Sequence, residues 1–218
     1  MQDPTQIWEF GRWIAQRDVG SARLSWTGGE VRLGIRSGRI HRVDGLDMGE
    51  LGARLGCEGA GEDELLAEAR ALSKEHGLPE TQAIGTAKEL VQDALHNWLL
   101  DPNREFQLDA DEPPEADGAT ISVTHAVVEL ILADTEHHAA DAILPERRVA
   151  LRRAGGFLEL YAPLRLSEEA DLIVADITGE RTAEDIAAQS PHGPDEVIRL
   201  VAALVATGML EPIEESLP

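Results

Sequence analysis

The sequence predicts an α+β fold: a small antiparallel β-meander packed with several helices, followed by a small winged-helix-like helical unit. Two changes of hydrophobic period predict it. Near residue 20, apolar residues spaced for one face of a helix give way to strict alternation cut by glycine turns. After about residue 163, three short apolar helices and a strand follow one another closely. The 218 residues, 43% of them hydrophobic, suffice for one or two cores.

The elements follow in order. Ile7, Phe10 and Ile14 fall on one helical stripe, which Trp8 and Trp13 widen. Ala22, Leu24 and Trp26 then alternate with Ser21, Arg23 and Ser25, the spacing of a strand. Gly28-Gly29 supplies a tight turn. Val31, Leu33 and Ile35 alternate with Arg32, Gly34 and Arg36. Ser37-Gly38 turns the chain again, and residues 39–43 make a third strand. Residues 47–100 read as helices. The first carries Met48, Leu51 and Leu55, and the second runs from Glu62 to Gly77. The third follows Pro79, carries Ile84, Ala87, Val91, Leu95 and Trp98, and stops at Asp101-Pro102. Arg104 to Leu108 is a short strand. Asp109 to Gly118, with five acids and two prolines, reads as a solvated loop. Val127 to Leu132 lie in a further helix. Ser167-Glu168-Glu169 opens a helix with Leu172, Ile173, Val174 and Ile177. Thr182-Ala183-Glu184-Asp185 has the form of a capping box and opens a short helix. Pro194-Asp195-Glu196 opens the next, Gly208 ends it, and Met209 to Ile213 form a strand. The domain boundaries expected are 1–141 and 164–218, with a linker over 142–163.

The formal net charge is −22. Such a field repels phosphate backbones and anionic membranes. It is unevenly spread. Residues 1–57 hold 8 Arg against 7 acids, whereas residues 58–118 hold 4 bases against 16 acids. Residues 119–145 have 4 acids and no base, and residues 146–218 have 7 Arg and 14 acids. No apolar run reaches the ~20 residues that a membrane span needs. Residues 1–20 lack the basic head and apolar middle of a signal peptide. Cys57 is the single cysteine, so the chain holds no intrachain disulfide and no cysteine-based zinc site. A cytoplasmic location without membrane insertion is the expectation.

A glycine-led strand, Val19-Gly20-Ser21-Ala22-Arg23-Leu24, runs to the Gly28-Gly29 turn. The segment Gly38-Arg39-Ile40-His41-Arg42-Val43-Asp44-Gly45 follows, bounded by glycines. Phe106 centres a later strand, and Val127 to Leu132 form an apolar run. On these positions residues 5–135 resemble the PATAN domain family, a domain of unknown function. Leu166-Ser167-Glu168-Glu169, residues 177–182 and Gly208-Met209-Leu210 are similar to the winged-helix-like segment that often follows such a domain. Thr178 departs from the acid or Asn common before that segment's glycine. The resemblance implies a bacterial signalling adaptor, linked to response regulators or small GTPases. It brings no catalytic residues.

Few residues form a chemical constellation. In residues 135–141, His137 and Asp141 share a helical face with Asp134 nearby, which makes this the best metal candidate. An exposed polar helix end accounts for the same residues, and no metal or cofactor is expected. His41, His76, His96, His125 and His192 are scattered singly and read as surface or capping residues. Gly34-Ile35-Arg36-Ser37-Gly38 lacks the Lys-Ser/Thr of a phosphate loop and lies between strands. Ser167 and Ser190 have no nucleophile-elbow context, and Cys57 reads as inert. Arg23, Arg32 and Arg36 occupy the polar alternation of two neighbouring strands, with Arg39 and Arg42 on the next. Their apolar alternates are expected to face the first helix. These five arginines form either a solvated face paired with the protein's own acids or a docking face for an acidic partner. Arg147, Arg148, Arg152 and Arg153 make a second cluster, on a solvated strand or at an interdomain contact.

The expected function is therefore non-enzymatic: a protein–protein interaction adaptor in bacterial signal transduction. Its partners would be a response regulator, a small GTPase or a GTPase regulator, with no nucleic acid; a homo-oligomer is compatible with it. The alternative is a DNA-binding regulator acting through the winged-helix-like unit. Its recognition helix, Pro194 to Thr207, would carry one base, Arg199, against Asp195 and Glu196.

Overall fold

The computed structural model describes residues 4–16, 19–58, 61–62, 64–109, 120–177 and 181–213. The chain is α+β and packs as two compact units. One is Arg17–Ala126; the other joins Met1–Gln16 to Val127–Pro218. Among the described residues no helix is long and apolar enough to cross a membrane.

The first unit is built on an antiparallel sheet. Strands β1 (Gly20–Trp26), β2 (Gly29–Arg36) and β3 (Arg39–Asp44) form the predicted meander. β4 (Glu105–Asp109) lies beside β1, and the short β5 (Ile121–Ser122) beside β3, giving the order β4-β1-β2-β3-β5. Alternation dictates one buried face: Ala22, Leu24, Val31, Leu33, Ile35, Ile40 and Val43 are all at most 2% exposed. A register shift at Gly34/Ile35 lets Ile40 and Val43, three apart, both face inward.

Three helices supply the opposing layer: α2 (Met48–Leu55), α3 (Leu65–His76) and α4 (Glu80–Leu100). α3 packs on β3 and α4 on β1. The apolar alternates of the meander thus meet these helices, and not the first helix that the sequence leads one to expect there. Trp98 of α4 is fully buried and its Nε1–H donates to the Glu105 carbonyl. Arg104 is also buried; its guanidinium donates to the Leu99 and Asp101 carbonyls, satisfying orphan acceptors at the end of α4. Gly45 closes β3 at φ +92, where a β-carbon would lie 2.7 Å from the Glu30 carbonyl oxygen. That is a physical reason for glycine at the end of the 38–45 segment.

α5 (Val123–Ala133) begins in the first unit and ends in the second. The second unit continues with α6 (His138–Ile143), β6 (Ala150–Arg153), α7 (Phe157–Tyr161) and α8 (Glu168–Asp176). β7 (Arg181–Thr182), α9 (Ala183–Gln189), α10 (Pro194–Ala206) and β8 (Leu210–Pro212) complete it. From α8 onward the order is helix, strand, two helices, strand, which is winged-helix-like. The capping box at Thr182 and Asp185 is present. The third strand of the small sheet, β6, lies between β7 and β8. Residues 142–163, read from the sequence as a linker, therefore hold a central strand and α7.

α10 is the centre of this unit, contacting α6, α9, β8 and α1 (Thr5–Gln16). Ile7, Phe10, Gly11, Trp13 and Ile14 form the buried stripe of α1. The first helix thus belongs with residues 127–218 and not with the meander. Small residues make this possible: a β-carbon on Gly11 would stand 2.8 Å from the Val205 carbonyl oxygen.

Candidate interaction surface

The second face of the five-stranded sheet carries the arginines. Arg23 stands directly opposite Arg32 across β1 and β2, and Arg36 opposite Arg39 across the Ser37-Gly38 turn. Like charges facing each other on neighbouring strands cost a few tenths to ~1 kcal/mol each unless neutralised. Asp109, on β4 opposite Ser21, neutralises the first pair. Its carboxylate lies 2.9 Å from Arg32 Nε and 3.6 Å from Arg23 Nη2. Glu30 adds a looser contact to Arg23 at 3.9 Å. Arg42 pairs with Asp44 at 2.8 Å. The rest of the expected acidic loop, residues 110–118, lies outside the described residues, as do residues 178–180 of the family-like segment.

The other end of the face differs. Arg39 is exposed and donates to two neutral acceptors, the Thr120 hydroxyl and the Thr120 carbonyl. His41, which the sequence treats as an isolated surface residue, feels the positive charge of three arginines. Its pKa is held below the ordinary 6.5, first by burial and then by Arg36, Arg39 and Arg70. Nothing in the linear sequence links Arg70 to this strand. It lies on α3, and only the packing of α3 on β3 brings it to this place.

The remaining candidates have structural occupations. Asp134 accepts from the backbone N–H groups of Glu136 and Ala139, and Asp141 pairs with Arg147 at 2.7 Å. His137 lies 3.7 Å from Asp195. Among the described residues no three His, Cys, Asp or Glu side chains converge as a metal site. The second arginine cluster is engaged within its own unit. Arg148 pairs with Glu184 and Arg152 with Glu211, while Arg153 donates to the Val174 carbonyl and lies 4.9 Å over the Phe157 ring. Cys57, just past α2, is a free thiol of intermediate exposure.

The helix that would enter a DNA groove exposes only an acidic first turn, Pro194, Asp195 and Glu196, and is otherwise buried apart from the half-buried Arg199. Val197, Ile198 and every residue from Leu200 to Ala206 are at most 2% exposed. Arg199 is turned to the Leu132 carbonyl, to which it donates at 3.2 Å. Comparison with known proteins finds no match among family models, curated proteins or solved structures.

Proposed function

We propose that this chain is a non-enzymatic protein-interaction adaptor of PATAN-like character, acting in bacterial signal transduction. Its partners would be a response regulator, a small GTPase or a GTPase regulator. One observation carries the reading: one face of the five-stranded sheet is packed against helices, while the other presents a ladder of arginines in a chain of net charge −22. Guanidinium forks suit carboxylates, so the surface fits an acidic patch on a partner. Arg39 and Arg42 are its most exposed members. Arg23 and Arg32 already share Asp109, so they serve the sheet as well as the surface. α10, buried beyond an acidic first turn, supports protein binding over DNA recognition, because a helix that reads bases must present compatible side chains to the groove.

The test starts from a partner recovered with the full chain from its native cell and then purified. Double reversal, Arg39→Glu with Arg42→Glu, should weaken the reconstituted complex by about tenfold or more while thermal stability holds. Unchanged affinity for every partner so identified would remove the arginine face from the proposal.

A further inference from the structure

A cleft of about 410 Å³ lies wholly within the unit formed by residues 1–16 and 127–218. That volume suits a small molecule. Its lining includes Trp8 and Arg12 from α1, Arg152 from β6, and Leu210, Glu211 and Pro212 from β8.

Three features of this lining combine. First, the Trp8 indole is pinned: its Nε1–H donates to the Ile143 carbonyl at 3.1 Å. Its one polar group is thereby committed, which leaves the ring as an apolar surface of fixed orientation. Second, Arg152 and Glu211 offset each other through an ion pair at 3.3 Å. Third, Arg12 follows Trp8 by one helical turn and is exposed at the cleft. Among the described residues no hydrogen bond or ion pair engages its guanidinium. Among the described residues the lining is therefore net cationic, with Arg12 and Arg152 against Glu211, in a chain with 41 acids and 19 lysines and arginines. A charged fork stands one turn from a flat ring, with Leu210 and Pro212 adding apolar surface.

We infer that this cleft binds a compact organic anion, a carboxylate on a flat apolar body. The Arg12 fork takes the carboxylate and the Trp8 ring the flat body. The site is independent of the arginine-bearing sheet and adds a small-molecule ligand to a chain proposed above to bind proteins.

Calorimetric titration of the full chain with 2-naphthoate tests this, with naphthalene-2-carboxamide as a neutral probe of the same shape. Naphthoate should bind one to one with saturation below the millimolar range. The carboxamide should bind about tenfold more weakly, because it lacks the charge-assisted pair. Arg12→Gln, an exposed substitution, should lower naphthoate affinity to the level of the carboxamide. Equal binding of the two probes, unchanged affinity in Arg12→Gln, or no saturable naphthoate binding each overturns the assignment.

Discussion

Gly208 sits at φ +67, and a β-carbon there would lie 2.3 Å from the Gly11 carbonyl oxygen. Backbone conformation and space both demand glycine, and the atom in the way is main chain, which cannot swing aside. Gly208→Ala should cost about 2–4 kcal/mol, summing left-handed strain and displacement of α1 from α10. Chemical denaturation measures it, and a midpoint equal to wild type would show that the two backbones are further apart than described. His41 gives a different signature. Its folded pKa is below 6.5, first through burial and then through Arg36, Arg39 and Arg70. As pH falls, the unfolded chain takes up this proton before the folded chain does. The stabilisation is complete above the unfolded value and is lost as pH drops toward the folded one. Urea midpoints at about pH 7.5 and 5.5 should therefore fall more for wild type than for His41→Gln. Equal falls would mean that folding does not lower the pKa of His41.

At the scale of elements, the arginine face turns on one carboxylate. β4 pairs with β1 in a register that puts Asp109 beside Arg23 and Arg32. Both arginines are about a third exposed, so solvent screens the pairs. Asp109→Asn should cost under ~1 kcal/mol, and the loss should shrink as salt is raised. A loss of several kcal/mol, insensitive to salt, would assign Asp109 a buried structural role instead. The strand pairing was only half legible. The meander could be read because each strand alternates strictly and glycine or serine-glycine turns separate the runs. The α4 helix could be read because Ile84, Ala87, Val91, Leu95 and Trp98 keep one face. β6 and α7 could not. Residues 142–165 have no sustained period; Leu151 is fully buried, whereas Arg152 and Arg153 beside it are exposed. Four residues are too few to show an alternation. The candidate surface divides in the same way. The five arginines follow from strand spacing, but Arg70 and the setting of His41 depend on which helix lies over which strand, and local sequence does not encode that.

Across the whole molecule, the same limit hid the partner of α1. Its stripe of Ile7, Phe10, Trp13 and Ile14 is plain in the sequence, yet the face it covers lies on α10. Deleting residues 1–16 should strip that cover and cost each buried side chain roughly 1.5–3 kcal/mol. Hydrogen exchange should then rise across α10 and α6 while β1 to β3 stay protected. Uniform loss of protection would show that the two units unfold as one. The arrangement also imposes an order in time. A ribosome adds about 5–20 residues each second, and domains generally fold as units as they emerge. Arg17–Ala126 is contiguous and can close as soon as it is out. The α1 segment, made before the rest of its unit, meets α10 only after residues 17–193 have been added, an interval of roughly 10–35 s at those rates. For that time the stripe of Phe10, Trp13 and Ile14 stands on a nascent helix without the α10 face that covers it. This protein's synthesis therefore presents a chaperone target in the α1 segment, and the target vanishes once α10 is released.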